Sequence, residues 1–424
     1  MKTTIQSLKG TRDFYPEDMS VRAWIYNAAR KVSESFGYQE YDGPFLEPVE
    51  LYAAKSGEEL VKEQSFVFPD RGGDLITLRP ELTPSLARMV AQRQRQLVYP
   101  LRWWSWGPMW RYERPQKGRT REFFQWNIDL IGVESPLADA ELVAIAAGFL
   151  KECGLTPQQV QILVNNRQLI DGELKALGIP PESKTEVFRL IDRRDKMSGS
   201  DWDAYAAEIG LSKAQIDGLK AILANPILWK KQPGMEDFFE NLHFLGVDEY
   251  VRYAPEIVRG LDYYTGTVFE TWDVDGEFRA ILGGGRYDNL VADVGGDPLP
   301  ATGFAMGDLV MSLVLKKFNC LPPGLGDSPA QVLVTVFDED SASASLEIAS
   351  KLRQAGLKVS CYPEFTKIAK QFKYGDRMGM HVAIVLGPDE RARRQVTLKD
   401  LGSGEQVSVP LDQLVEKTKA LLTD

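Results

Sequence analysis

Apolar residues along this chain follow two periods, and the alternation between them outlines the elements. Over residues 16–36 they fall at Val21, Trp24, Ile25 and Ala28, the spacing of one buried helix face, and the pattern stops at Gly37. Residues 137–153 (LADAELVAIAAGFLKEC) repeat that helical period. Strand-like runs lie between and after these helices: 75–78, the aromatic run from Trp103 to Trp110, the alternating run 126–131, 160–164, and Thr265, Thr267, Phe269. A polar stretch from about 166 to 248 carries helically spaced apolar residues, among them Leu169, Leu174 and Leu177, Val187, Leu190 and Ile191, and Ile216, Leu219, Ile222 and Leu223. It reads as a helical subdomain spliced into a sheet. Beyond the Pro- and Gly-rich segment 322–329 the pattern changes to strand–helix alternation: strands at 332–337, 359–362, 382–386, 393–399 and 406–410, helices at 343–355, 368–377 and 412–422. This predicts a small mixed α/β module of its own. Thr83 or Ser85 is the expected cap of the helix after Pro80.

Composition narrows the class. The 424 residues suffice for two or three domains, and 44% hydrophobic with 26% charged residues is ordinary for a globular protein. No apolar run reaches membrane-span length, and the first residues, MKTTIQSLKG, lack the apolar core of a signal peptide. Cys153, Cys320 and Cys361 are scattered and odd in number, so neither a disulfide framework nor a metal site is expected, and a cytoplasmic setting is the default. A net charge of −10 argues against a bulk electrostatic nucleic-acid binder while leaving room for a local basic track. The two histidines, His243 and His381, stand outside any catalytic-looking cluster, which disfavours histidine-centred catalysis.

The candidate chemistry centres on W-RYERPQKGRTREFFQWNIDLIG, from Trp110 to Gly132. An apolar strand opens into a loop bearing Arg111, Arg114, Lys117, Arg119 and Arg121, then closes with Phe123-Phe124-Gln125 and a second strand. Such a run alone fits a solvated loop. The shaping residues Pro115 and Gly118 and the apolar flanks instead aim the cations at a cleft, where they can clamp a polyphosphate while an aromatic stacks a base. Upstream, LRPELT sets Glu81 at a strand end, either as a helix-start acid favoured by the macrodipole or as a ligand carboxylate. Downstream, RGLDYYTG puts Arg259, Tyr263 and Tyr264 together, and AILGGGRYDN offers glycines that permit close backbone approach.

These strings resemble, in order and over nearly the whole chain, those of the histidyl-tRNA synthetase family of class II aminoacyl-tRNA synthetases. The 16–47 helix, strand and proline resemble motif 1. FRxERPQKGRxREFxQ-like residues 110–125 resemble motif 2. RGLDYYTG is the family's own signature, and GFAMGDLV (303–310) resembles motif 3. The resemblance implies an α/β (α+β) architecture. A class II antiparallel-sheet catalytic domain (1–165 and 249–321) would be interrupted by a helical insertion at 166–248. A linker at 322–329 would lead to an anticodon-binding domain at 330–424. It implies a homodimer that activates L-histidine with ATP, accompanied by Mg²⁺, and transfers it to tRNA(His). By the same resemblance Arg111 and Arg259 are catalytic. Glu81, Thr83, Arg111, Gln125, Asp129, Arg259, Tyr263 and Tyr264 bind histidine. Arg111, Glu113, Arg121 and Phe123 bind ATP, and Arg114, Gln116 and Arg119 meet the tRNA acceptor end.

Two departures stand out. Asp129 occupies a place where bacterial relatives often have Glu. Motif 3 of the family ends in Glu-Arg, the arginine bracing the ATP γ-phosphate, whereas this chain has Leu309-Val310, and valine cannot make that contact. A different cation or Mg²⁺ is therefore expected to brace the pyrophosphate. The departure also opens a second reading, a catalytically silent paralogue such as the regulatory partner of ATP phosphoribosyltransferase. Against it stand the C-terminal module, the RGLDYYTG string and the joint presence of Glu81, Arg111, Gln125 and Arg259. A plain RNA-binding module is a third reading, opposed by the net charge and the amino-acid pocket.

Overall fold

The computed structural model describes residues 4–53, 64–194, 197–258 and 264–422. Arg259 and Tyr263 lie outside the described residues. The chain divides into two compact units, Met1–Pro322 and Pro323–Asp424.

The strands of the first unit are, in chain order, β1 (Gln39–Glu40), β2 (Leu46–Pro48), β3 (Phe66–Pro69), β4 (Leu75–Leu78), β5 (Leu101–Trp110), β6 (Glu122–Ile131), β7 (Val160–Asn166), β8 (Val251–Tyr253), β9 (Thr267–Asp273), β10 (Leu282–Arg286) and β11 (Ala301–Gly307). Eight form one sheet in the order β1-β5-β6-β11-β10-β9-β7-β8. Its six inner strands, β5 to β7, are antiparallel throughout, while each short edge strand pairs in parallel, β1 on β5 and β8 on β7. The sheet is thus mixed, with the expected antiparallel core. The remaining three make a small antiparallel sheet, β2-β4-β3.

Alternation along the strands divides the large sheet into two faces. Trp126 and Ile128 of β6 and Phe304 and Met306 of β11 face the core, beneath helices Pro16–Ser35, Pro136–Glu152 and Asp308–Lys317. Trp126 meets Phe149 at 4.9 Å between ring centroids and Phe304 edge-on at 5.0 Å. The opposite face carries Gln125, Asn127 and Asp129 on a cavity, and at its far end Ile131 packs with Leu86 and Val90 of the helix Thr83–Arg93.

Among the described residues of 166–248 lie five α-helices, and most of their apolar faces gather in a cluster containing Leu174, Val187, Leu190, Trp202 and Leu219. The last of the five, Met235–Phe244, behaves differently: Met235, Phe238 and Leu242 are buried in the main core. Side-chain caps start several of these elements. Asn166 accepts from the backbone N–H of Gln168 and Leu169, and Ser212 and Gln215 form a reciprocal capping box. The helix Thr83–Arg93 lacks the cap expected of Thr83 or Ser85. Thr83 is already its first residue, and the Ser85 hydroxyl, fully buried, bonds Tyr52 Oη at 3.2 Å instead.

The second unit has five strands, β12 (Val332–Val334), β13 (Val359–Cys361), β14 (Val382–Val385), β15 (Gln395–Asp400) and β16 (Gln406–Pro410), ordered β13-β12-β14-β15-β16. The first three are parallel and the last two antiparallel. The strand expected at 393–399 starts two residues later, because Arg393 ends the helix Pro388–Arg393 and Arg394 turns the chain at φ 54°.

Candidate active site

The antiparallel pair β5–β6 runs in register from Leu101↔Ile131 to Trp110↔Glu122, and its connecting loop, residues 111–121, carries the five cations. Backbone and guanidinium bonds tie this hairpin to the LRPELT string. Trp110 N–H donates to Arg79 O at 3.0 Å, and Arg111 Nε to Pro80 O at 2.9 Å. Arg79 itself is fully buried and gives its guanidinium to Asp42 (2.6 Å), Gly43 O and Pro108 O. It is a strut, and it holds Glu81 beside Arg111. A second tie comes from the N-terminal GTRDF string. Gly10 O accepts from Arg121 N–H at 2.7 Å, while Arg12 grips the Asp308 carboxylate with 2.8 and 3.0 Å bonds. Asp308 also accepts from Phe124 N–H. The cation loop, the N-terminal string and the start of helix Asp308–Lys317 are thereby fixed to one another.

A cavity of about 740 Å³ opens on the polar face of the sheet. Glu81, Thr83, Arg111, Arg119, Gln125, Asp129 and Tyr264 all line it. Its floor is made possible by small residues: register places Gly303 opposite Asp129, Ala305 opposite Asn127, and Gly283 opposite both Ala305 and Glu270. A Cβ at Gly303 would overlap the Asp129 carboxylate.

The cavity is lined by groups of both charges. Asp129 is buried and takes a short hydrogen bond from Tyr287 Oη; burial raises its carboxyl to about 7, and the Tyr287 bond pulls the other way. Buried Glu81 and Tyr264 lie on the same cavity. Arg111, Lys117, Arg119 and Arg279 line it too. Burial lowers the Arg119 guanidinium pKa, its Glu113 partner raises it, and Arg279 and Arg111 lower it further, so the three guanidinium groups feel one another. A smaller cavity of about 120 Å³ adjoins, lined by Arg111, Glu113, Phe123, Gly307 and Val310 among others. Arg111 lies over the Phe123 ring at 5.7 Å.

Not every expected residue faces these cavities. Arg121 stacks on Tyr112 at 4.1 Å and donates Nε to Glu113 O. Arg114 and Gln116 are exposed on the loop. The structure adds lining residues the sequence analysis passed over: Asn127, Tyr287, Glu270, Trp272, Asp192 and Arg279. Asn127 was within reach of the strand alternation, since it sits between Gln125 and Asp129. The others depend on pairings distant in sequence.

Similarity to known proteins agrees with this arrangement. Residues 10–308 match the family model described as histidyl-tRNA synthetase, and residues 331–421 match an anticodon binding domain. The histidine–tRNA ligase of Leptospira biflexa is 34% identical over 100% of this chain and 99% of its own. The chloroplastic/mitochondrial histidine–tRNA ligase of Arabidopsis thaliana is 37% identical over 97% of this chain and 86% of its own. The crystal structure of histidyl-tRNA synthetase from Nostoc sp. PCC 7120 superposes with a TM-score of 0.83, at 26% identity, covering 99% of this chain and 100% of that one. The chain belongs to the histidyl-tRNA synthetase family.

Proposed function

We propose that the chain is an active histidine–tRNA ligase. In the first step the carboxylate of L-histidine attacks the α-phosphorus of ATP; the bond from that phosphorus to the bridging oxygen breaks, and pyrophosphate leaves. In the second a terminal ribose hydroxyl of tRNA(His) attacks the activated carbonyl carbon and AMP leaves. Two anions meet in the first step, so fixed positive charge and alignment decide the rate; alignment alone supplies roughly 7–11 kcal/mol.

The observation that carries this reading is one cavity lined both by acceptors, Glu81, Gln125 and Asp129, and by cations, Arg111 and Arg119. In it Glu81 and Thr83 take the α-amino group. Gln125, Asp129, Tyr264 and Tyr263 read the imidazole, whose N–H groups need acceptors. Arg111 holds the histidine carboxylate and the α-phosphate, opposed by Arg259. Phe123 stacks the adenine, with Glu113 beside it; Arg121 contributes by holding the Glu113 backbone. Arg114, Gln116 and Arg119 meet the acceptor end of the tRNA. Mg²⁺ arrives with ATP as part of the substrate. Residues 1–165 and 249–321 act as the catalytic domain, 166–248 as an insertion reaching toward the acceptor arm, 322–329 as a linker and 330–424 as the anticodon-binding domain. The working form is a homodimer joined through the 16–47 segment, in the cytoplasm.

Val310 favours the alternative of a silent regulatory paralogue. The anticodon-binding match at 331–421 and ligase relatives that align over the full chain weigh more. Histidine-dependent exchange of pyrophosphate into ATP, followed by charging of tRNA(His), tests the choice. Exchange at background level with pure protein would leave the paralogue standing.

A further inference from the structure

The valine at the end of motif 3 leaves the terminal phosphates of ATP without the arginine the family uses, and resting on the ligase reading above, the geometry points to Arg279 as the residue that takes its place. Arg279 sits on the turn between β9 and β10, and it lines the same cavity as Val310. The brace would therefore come from a different element bordering the same space.

The other candidate cations are committed. Arg119 is paired with Glu113, and Lys117 with Glu277 at 2.9 Å. Arg12 is held by Asp308. Arg111 bonds Pro80 O and is the residue proposed above for the α-phosphate. Among the described residues Arg279 has no hydrogen bond or ion pair, although three acids, Asp273, Asp275 and Glu277, share its turn. Lys317 collects all three, at 2.9, 2.7 and 3.5 Å, and Lys117 takes Glu277 as well. Those contacts offset two of the three negative charges and engage all three acids, leaving the Arg279 guanidinium on the cavity.

The turn is also built to hold still. The Asp273 carboxylate accepts from Glu277 and Phe278 N–H, each at 3.1 Å, and Gly276 N–H bonds Asp273 O at 2.9 Å. Gly276 has φ 63°, a left-handed conformation that suits glycine. The Phe278 ring lies between Lys117 and Lys317 at 4.8 and 5.6 Å. A guanidinium on such a turn is preorganised for a bidentate phosphate contact. Arg119 feels the charge of Arg279, so Arg279 belongs with the cations that line the cavity.

The test compares wild type, R279A and R279K in the full-length protein. Histidine-dependent exchange gives the KM for ATP, pyrophosphate and histidine, and AMP inhibition probes the part of the nucleotide that lacks the terminal phosphates. In R279A the KM for ATP and for pyrophosphate rises about ten- to a hundredfold, the worth of one charged hydrogen-bonded contact. Histidine KM and AMP inhibition stay within about twofold, since the affected contact is specific to the outer phosphates. R279K, which keeps the charge and loses the fork, falls between. Unchanged ATP and pyrophosphate parameters in an R279A enzyme whose wild type turns over would overturn the brace and leave the ligase reading intact. Equal weakening of AMP, histidine and ATP would overturn it too, as a general disturbance of the site. An inactive wild type would remove the ligase reading itself.

Discussion

Asp129 shows how a single side chain sets the conditions under which the pocket works. Burial lifts its carboxyl to about 7, and the short bond donated by Tyr287 restrains that rise because it stabilises the anion. Only the ionised form offers two acceptors to an imidazole N–H. With Asp129 as the proposed imidazole acceptor, affinity for histidine is expected to be lost as pH falls through 7 and gained above it. The free amino acid has its own imidazole pKa of about 6.5 in the same range, so one profile cannot separate the two groups. The Y287F enzyme separates them. Loss of the donated bond raises the Asp129 pKa, and the midpoint of kcat/KM for histidine against pH moves to more alkaline values while the substrate's own ionisation stays put. A midpoint that stays fixed or moves to lower pH would show that Asp129 is not the group being titrated. D129N keeps one acceptor without the charge; kcat/KM for histidine falls roughly a hundredfold, and the protein's part of the pH dependence disappears.

Glycine is used differently on the two faces of the sheet, and substitution at each face separates binding from stability. Gly303 of β11 lies on the cavity side, where a Cβ would overlap the Asp129 carboxylate and meet Ile128 O at 2.7 Å. Gly284 of β10 lies on the core side, register-paired with Phe269 and Phe304, where a Cβ would overlap Gly303 O and the Phe304 backbone. G303A displaces the imidazole acceptor and raises histidine KM by about tenfold or more, the loss of a charged hydrogen bond. G284A costs about 1–3 kcal/mol of stability, as overpacking does, and leaves KM within about twofold. Melting curves and exchange kinetics on the two variants check this; the same effect on KM from both would mean that the faces are not separate. The sequence made the ingredients of this site readable where they are contiguous. The LRPELT string, the cation hairpin and the glycine run can each be seen as local strings, and alternation along β6 put Gln125 and Asp129 on one face. Arg279 and the Arg12–Asp308 pair were not readable, because their meaning comes from partners across the fold; Arg12 and Asp308 are 296 positions apart. The Ser85 cap was misjudged for a related reason. A hydroxyl that suits a helix start by local rules was taken by Tyr52, a neighbour supplied only by tertiary packing.

At the scale of the whole molecule, the two units have separate apolar interiors. Trp126, Phe149, Phe269 and Phe304 belong to clusters formed wholly within Met1–Pro322, and Val332, Leu352, Ile384 and Leu398 to one formed within Pro323–Asp424. Every described residue lining the main cavity also belongs to the first unit. On the proposed assignment adenylate formation draws on that cavity, whereas charging also requires the right tRNA to be selected and positioned, and residues 331–421 match an anticodon binding domain. A protein ending at Pro322 accordingly folds with a cooperative thermal transition and keeps histidine-dependent exchange within about threefold of the full chain, because no contact with the reacting atoms is lost. Its charging of tRNA(His) falls by roughly a hundredfold or more, appearing mainly as a raised KM for the tRNA, since what is removed is binding energy remote from the chemistry. If exchange collapses together with charging while the melting transition remains intact, the second unit takes part in forming the adenylate site and the separation of tasks is wrong. If charging survives with its tRNA KM unchanged, recognition lies within the first unit, and the 166–248 helices become the place to look for it.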